Sequence, residues 1–276
     1  MTTDSFQVKL WGIRGSLPVS GPMFHKFGGN TMCIEVRCGD HVLIFDAGSG
    51  IVPAGSALKE EGKTDFTLFF THCHYDHIAG LPFFLPLYSN MSTLNVWTGH
   101  LAGAMTTKEM IDDYMRKPFF PVGMEYCCAT LGMGEFTAGD FLTPHPGITI
   151  RTTMLNHPGN AIGYRIDWKG RSVALITDTE HKPGALDQNI LRFIENVDLL
   201  LYDSTFTDEE FETFKGFGHS TWQQAVRLAK AASAKRVGFI HHSKRRTDAE
   251  LLKIERDAKV LFPQAFCGRE MQVIDI

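Results

Sequence analysis

Disulfide chemistry has little to work with in this chain. Its six cysteines are Cys33, Cys38, Cys73, Cys127, Cys128 and Cys267, with no CxxC pair and no spaced framework. They read as reduced thiols, the usage expected of a cytoplasmic protein. Long apolar runs are also missing, so no segment reads as a bilayer span. The opening residues, Met-Thr-Thr-Asp-Ser-Phe-Gln, lack the charged and apolar regions of a signal peptide. Positive charge is not in excess. The formal net charge is −4 over 276 residues, so no global field draws in long nucleic acid. There is no Pro/Gly-rich linker, no internal repeat and no low-complexity tract. The chain therefore reads as a single domain over residues 1–276. Hydrophobic content of 43% is ordinary for a soluble protein and ample for a core.

What the chain does have is a series of short apolar strands. They are Val8–Trp11, Met32–Arg37, Val42–Phe45, Thr67–Phe70, Ile148–Met154, Ile162–Trp168, Val173–Ile176, Leu199–Tyr202 and Val237–Ile240. Helices are expected over Thr106–Lys117 and Thr221–Ala232. The first opens with Thr106-x-x-Glu109 and the second with Ser220-x-x-Gln223, both capping-box patterns. Many strands early and strand–helix units later point to an α/β protein with two sheets face to face and helices outside. Several strands end on a residue type that binds metal: Asp46, His72, Asp178, Asp203 and His241. Rigid strands deliver such groups to one edge, where a site can assemble.

Residues 71–77 read Thr-His-Cys-His-Tyr-Asp-His. Alternate residues on an extended chain point the same way, so His72 and His74 can grip one ion. Cys73 then turns to the opposite face, as a small buried filler. Asp76 and His77 follow the turn and can face a second ion. Three imidazoles and a carboxylate suit zinc, with manganese or iron as alternatives. His157, in Asn-His-Pro-Gly, adds a loop ligand. Asp178 is the natural bridge, because one carboxylate can give an oxygen to each ion. His241 closes the second site, in competition with His242. Neighbouring residues leave a strand on opposite faces, so only one of the two fits. Asp46 reads either as a turn residue or as a group that orients a ligand histidine.

The order His-x-His-x-Asp-His, then His157, Asp178 and His241, resembles the metallo-β-lactamase superfamily. The resemblance implies a four-layer αββα sandwich with a dinuclear site at its open edge. It assigns His72, His74 and His157 to one ion, Asp76, His77 and His241 to the other, and Asp178 to both. It also implies a metal-dependent hydrolase that uses metal-activated hydroxide. Gly218-His219-Ser220-Thr221 and Tyr202-Asp203-Ser204-Thr205 are similar to segments of the ribonuclease Z branch of phosphodiesterases. In that branch an acidic residue, usually Glu, works with the histidine. Asp203 is shorter by one methylene. Asp76, His219 and Asp203 are the expected catalytic residues. His219, oriented by Asp203, would protonate the leaving alkoxide. Plainer readings are a loop histidine before a helix and a turn carboxylate paired with Thr205.

Arg14 and Asn30 lie in Gly-rich loops that could meet substrate or simply turn. His181 and Lys244 are further expected substrate contacts. Lys117–Asp140 is apolar and reads as a pocket wall, a subunit contact or plain core, so a homodimer is one expected arrangement. The acidic net charge and the lack of a basic arm favour a small or cyclic anionic phosphodiester over a long nucleic acid. A thioesterase or lactonase of the same fold needs the metals but not His219. A non-catalytic metal or redox sensor needs neither substrate nor water.

Overall fold

The computed structural model describes residues 4–276. Strands β1 (Phe6–Gly12), β2 (Cys33–Cys38) and β3 (His41–Phe45) form an antiparallel meander. Helix α1 (Ile51–Glu60) crosses to β4 (Asp65–Phe70), which runs parallel to β3 and leads into the short α2 (Tyr75–Ile78). β5 (Thr93–Thr98), α3 (Thr107–Tyr114) and β6 (Thr130–Glu135) extend this sheet with parallel strands. The second sheet begins with β7 (Phe141–Leu142), β8 (Ile148–Leu155), β9 (Ala161–Trp168) and β10 (Arg171–Ile176), all antiparallel neighbours. α4 (Gln188–Phe193), β11 (Leu199–Asp203), α5 (Asp208–Phe211), α6 (Trp222–Ala231), β12 (Val237–Ile240), α7 (Asp248–Leu261) and β13 (Ala265–Cys267) follow. β14 (Val273–Asp275) returns to the first sheet beside β1. The two seven-stranded sheets run β14-β1-β2-β3-β4-β5-β6 and β13-β12-β11-β10-β9-β8-β7.

Three apolar layers explain the stacking. Phe6, Val8, Leu10, Leu43 and Phe45 of the first sheet meet Val173, Leu175, Leu199 and Leu201 of the second. Alternate residues of the same strands face outward. Val42, Ile44, Leu68 and Phe70 pack beneath α1 and α3, and Ala174, Ile176, Leu200 and Tyr202 beneath α4, α6 and α7. Strands buried on both faces read as continuous apolar runs rather than alternating ones. Fully burying each large side chain contributes about 1.5–3 kcal/mol. The expected αββα layering is what the chain adopts.

Two helix boundaries differ from expectation. α3 ends at Tyr114, and Met115 leaves the helical region shortly before Pro118. Proline disfavours helical angles at Lys117, the residue directly before it, so the helix does not reach the expected end at Lys117. α6 is capped by Thr221, whose side chain accepts from Gln224 N, and not by Ser220. The Ser220 hydroxyl is bonded instead to His181 and Tyr202. The Thr106–Glu109 capping box is present as expected.

Candidate metal centre

β3, β4, β8, β10, β11 and β12 all direct their C-terminal ends to one edge of the sandwich. Asp46, Asp178 and His241, each just beyond a strand, have φ of +65°, +51° and +56°. Such left-handed angles cost a non-glycine residue on the order of 1–3 kcal/mol and persist where the surroundings enforce them. They aim these three side chains back into the gap between the sheets.

Two groups of ligand atoms converge there. His72 Nε2 and His157 Nε2 lie 3.0 and 3.1 Å from His74 Nδ1. His77 Nε2 and His241 Nε2 lie 3.5 and 3.1 Å from Asp76 Oδ2. Asp178 stands between the groups. Its Oδ2 is 3.7 Å from His72 Nε2, 3.8 Å from His157 Nε2 and 3.4 Å from His241 Nε2, and its Oδ1 is 3.3 Å from His77 Nε2. His242 turns away and bonds the Gly268 carbonyl at 3.2 Å. The adjacent pair thus divides as strand geometry requires, with His241 facing the carboxylates.

Outer partners fix the rings. Asp46 accepts from His77 Nδ1 at 2.8 Å and from the Thr71 backbone N–H at 2.7 Å. Thr71 Oγ1 lies 3.1 Å from His72 Nδ1 and 2.8 Å from Asp46 Oδ2. The Gly218 carbonyl accepts from His157 Nδ1 at 2.8 Å. Thr205 Oγ1 lies 2.9 Å from His241 Nδ1 and 2.7 Å from Asp203 Oδ1. The Ser16 backbone N–H donates to Asp76 Oδ2 at 2.6 Å. The inward-facing nitrogen of each of these four histidines is thereby specified. Thr71, Thr205, Ser16 and Gly218 were not singled out from the sequence as partners of the ligand groups. Thr71 adjoins His72, but Ser16, Thr205 and Gly218 lie apart from the ligand residues in the chain, so the sequence does not mark them.

The electrostatics carry the strain of so many close ionisable groups. Burial pushes the His72 and His157 imidazoles down. Burial acts the same way on His77, but Asp178, Asp46 and Asp76 outweigh it and raise that ring. His241 is likewise raised to about 9 against burial, chiefly by Asp178. Burial opposes ionisation of Asp178, yet His241, His77 and His72 hold its carboxyl well below the usual range.

His77 Nε2 is buried and has no hydrogen-bond partner. An orphaned imidazole nitrogen facing two carboxylates suits a cation, and the donor set of imidazole and carboxylate suits zinc-like ions. The residues present therefore fit a pair of divalent ions. His72, His74 and His157 would hold one, Asp76, His77 and His241 the other, with Asp178 shared.

His219 and Asp203 adjoin this cluster. His219 Nδ1 donates to Asp203 Oδ2 at 3.0 Å and lies 3.8 Å from Asp178 Oδ2. The shorter Asp therefore still reaches its histidine. A cleft of about 500 Å³ opens over the site, lined by Ser16, Cys73, His74, Tyr75, Asp76, Asp178 and His219. Cys73 is half-buried: it packs against the outer apolar layer, as expected of a filler, and also forms part of this wall.

The expected substrate contacts fare differently. Arg14 is fully buried, and its guanidinium donates to the carbonyls of Gly28, Ser243 and Arg246. It ties two loops together and cannot touch a molecule in the cleft. Asn30 is bound to Glu270 and Ser49 and lines a separate hollow. His181 lines another cavity, with its ring stacked on Phe211. Lys244 is exposed and borders none of the described cavities. These positions lie on Gly-rich or basic loops, where sequence does not distinguish a turn from a contact.

Residues 41–242 match the model of the beta-lactamase superfamily domain. The chain belongs to that superfamily and has the metallo-β-lactamase fold. A ribonuclease Z from Exiguobacterium sibiricum is 27% identical over 254 residues, covering 76% of this chain and 81% of that protein. The metallo-beta-lactamase fold protein YhfI from Bacillus subtilis superposes with a TM-score of 0.77 at 19% identity, covering 99% of this chain and all of that one (100%). A diphosphatase of the PhnP family superposes with a TM-score of 0.71 at 17% identity, covering 98% of both chains. Among the described residues, no helix is long and apolar enough to cross a membrane.

Proposed function

We propose that this hydrolase is a phosphodiesterase with a dinuclear metal centre, acting on a small or cyclic phosphodiester. The observation that carries the reading is the His219–Asp203 pair, bonded at 3.0 Å beside the histidine–aspartate cluster. The ions, when bound, supply positive charge for the phosphoryl oxygens and lower the pKa of water. Asp203 holds the Nδ1 proton of His219, so the Nε2 edge is left for the leaving oxygen. Protonated on both nitrogens, His219 gives its Nε2 proton to the leaving oxygen as the P–O bond breaks and keeps its Nδ1 proton hydrogen-bonded to Asp203. Asp76, Asp178 and the ligand histidines hold the ions, and the buried sheet edge behind them excludes bulk water. A volume of about 500 Å³ suits a small molecule. A lactonase or thioesterase would have no need of the paired histidine.

A second reading, an RNA substrate, is favoured by the ribonuclease Z relatives. One screen separates the readings. Purified protein with zinc or manganese is offered a bis-aryl phosphodiester, cyclic nucleotides, 3′-extended tRNA, thioesters and lactones. Turnover of the small phosphodiesters should dominate. Preference for lactone or thioester would refute the phosphodiesterase reading, and preference for the extended tRNA would replace the small substrate. His219→Ala should lower phosphodiester turnover by about 10²–10⁴-fold, most with poor leaving groups.

A further inference from the structure

A second cavity, of about 750 Å³, shares no lining residue with the metal cleft. It lies between the loop before α4, the short α5 and the outer face of α6. Its apolar wall comes from Pro183, Leu186, Phe211 and Ala231. Its polar groups can be audited one by one. Asp208 accepts from Arg227 through both oxygens, at 2.7 and 3.0 Å, and from Thr221 at 2.7 Å. Gln224 accepts from Arg227 Nε at 2.7 Å and donates to the Ala185 carbonyl at 3.2 Å. The exposed Glu212 has an ion-pair partner, Lys215 at 3.9 Å, without a hydrogen bond. Asp208 and Gln224 are satisfied within the protein.

Two groups are not. Among the described residues the Lys230 ammonium, exposed on the rim, has no ion pair or hydrogen bond. His181 is 8% exposed and bonds through Nδ1 alone. His181 Nδ1 lies 2.7 Å from Ser220 Oγ, which also accepts from the buried Tyr202 hydroxyl at 3.2 Å. The cavity therefore offers an unpaired ammonium on its rim and the unbonded Nε2 edge of an imidazole, beside an apolar wall.

We propose that this cavity binds a small amphipathic anion, an aliphatic or aromatic body with one carboxylate or phosphate head, and that occupancy is sensed at His219. The coupling is short. Ser220, bonded to His181, is the residue after His219. Glu180, the residue before His181, accepts from the backbone N–H groups of Gly216 and Gly218 at 2.6 and 3.0 Å. A ligand drawn to the His181 ring thus pulls on both ends of the loop that carries His219. The site goes beyond the phosphodiesterase reading, and its test involves no turnover.

The test uses the zinc-loaded full chain and anilinonaphthalene sulfonate as a fluorescent probe. The probe should bind and be displaced by octanoate or octyl phosphate, whichever head the site prefers, but not by octylamine. Lys230→Glu and Ala231→Trp, both at exposed positions of α6, should each weaken probe binding by about tenfold or more. In ¹⁵N-histidine spectra the His219 ring signal should shift on adding the preferred anion to the wild type and stay fixed in Lys230→Glu. Absence of probe binding, undiminished binding by both variants, or displacement by octylamine would overturn the site. A stationary His219 signal on saturation would overturn the coupling.

Discussion

Asp203 shows how one residue can satisfy two readings at once. The sequence supports either a turn carboxylate paired with Thr205 or the partner of His219. The structure has both: Oδ1 accepts from the Thr205 backbone and hydroxyl, and Oδ2 accepts from His219. Thr205 carries one hydroxyl proton, and the charged Asp203 oxygen at 2.7 Å is its strongest acceptor. The His241 Nδ1 proton then points at Thr205 Oγ1, so Nε2 is the nitrogen presented to Asp76 and Asp178, and its proton is the one a metal ion would replace. Thr71 repeats the device between Asp46 and His72. Removing such a partner generally costs about 10–100-fold in metal affinity. Thr205→Val should therefore weaken binding of one zinc by that factor in a chelator competition, and Thr205→Ser should restore it. Equal affinities for wild type and Thr205→Val would show that the hydroxyl does not set the ring.

At the scale of elements, the central strands were legible and the periphery was not. β3, β4, β10, β11 and β12 are apolar runs buried on both faces, which sequence displays directly. β6 reads Thr-Leu-Gly-Met-Gly-Glu and was not anticipated, because glycine weakens a strand signal. A Cβ at Gly132 would lie 2.3 Å from Asn95 Oδ1, and one at Gly134 2.6 Å from the Trp97 ring. Packing against β5, not propensity, selects those residues. α7 was also not singled out, although its Thr247–Glu250 capping box is well formed. The candidate ligand groups were legible because histidine is chemically rare and four of the residues fall within 72–77, whereas the backbone that aims them was not. Gly218 is the clearest case. Its φ is +83°, and a Cβ there would fall 2.3 Å from His157 Nδ1. Gly218→Ala should displace His157 and the loop before His219 together. Zinc at the His72–His74–His157 position should be lost first, read as a drop in bound metal per chain. A variant that keeps both ions and full turnover would contradict this account of the loop.

For the whole molecule, the histidines set a pH profile that metal should reshape. Burial holds His72 and His157 below their ordinary value of 6.5, with His100 at about 4 and His242 at about 3. As pH falls through 6.5 these sites take protons in the unfolded chain before the folded one, so stability falls. His77 and His241 behave in the opposite sense. Their folded values are raised, to about 9 for His241, so their contribution is fully present below 6.5 and is lost as pH rises toward 9. The metal-free protein should therefore have its highest melting temperature near pH 6.5 and decline on both sides. Zinc changes only one arm. Ligand imidazoles must give up the ligating proton, so zinc competes poorly in acid and gains affinity as pH rises. The alkaline decline should flatten or reverse when zinc is present, while the acid decline, driven partly by His100 and His242 outside the ligand set, should remain. Calorimetric melting temperatures from pH 5 to 9, with and without zinc, measure both arms. An alkaline arm that zinc leaves unchanged would mean that His77 and His241 are not the groups zinc takes.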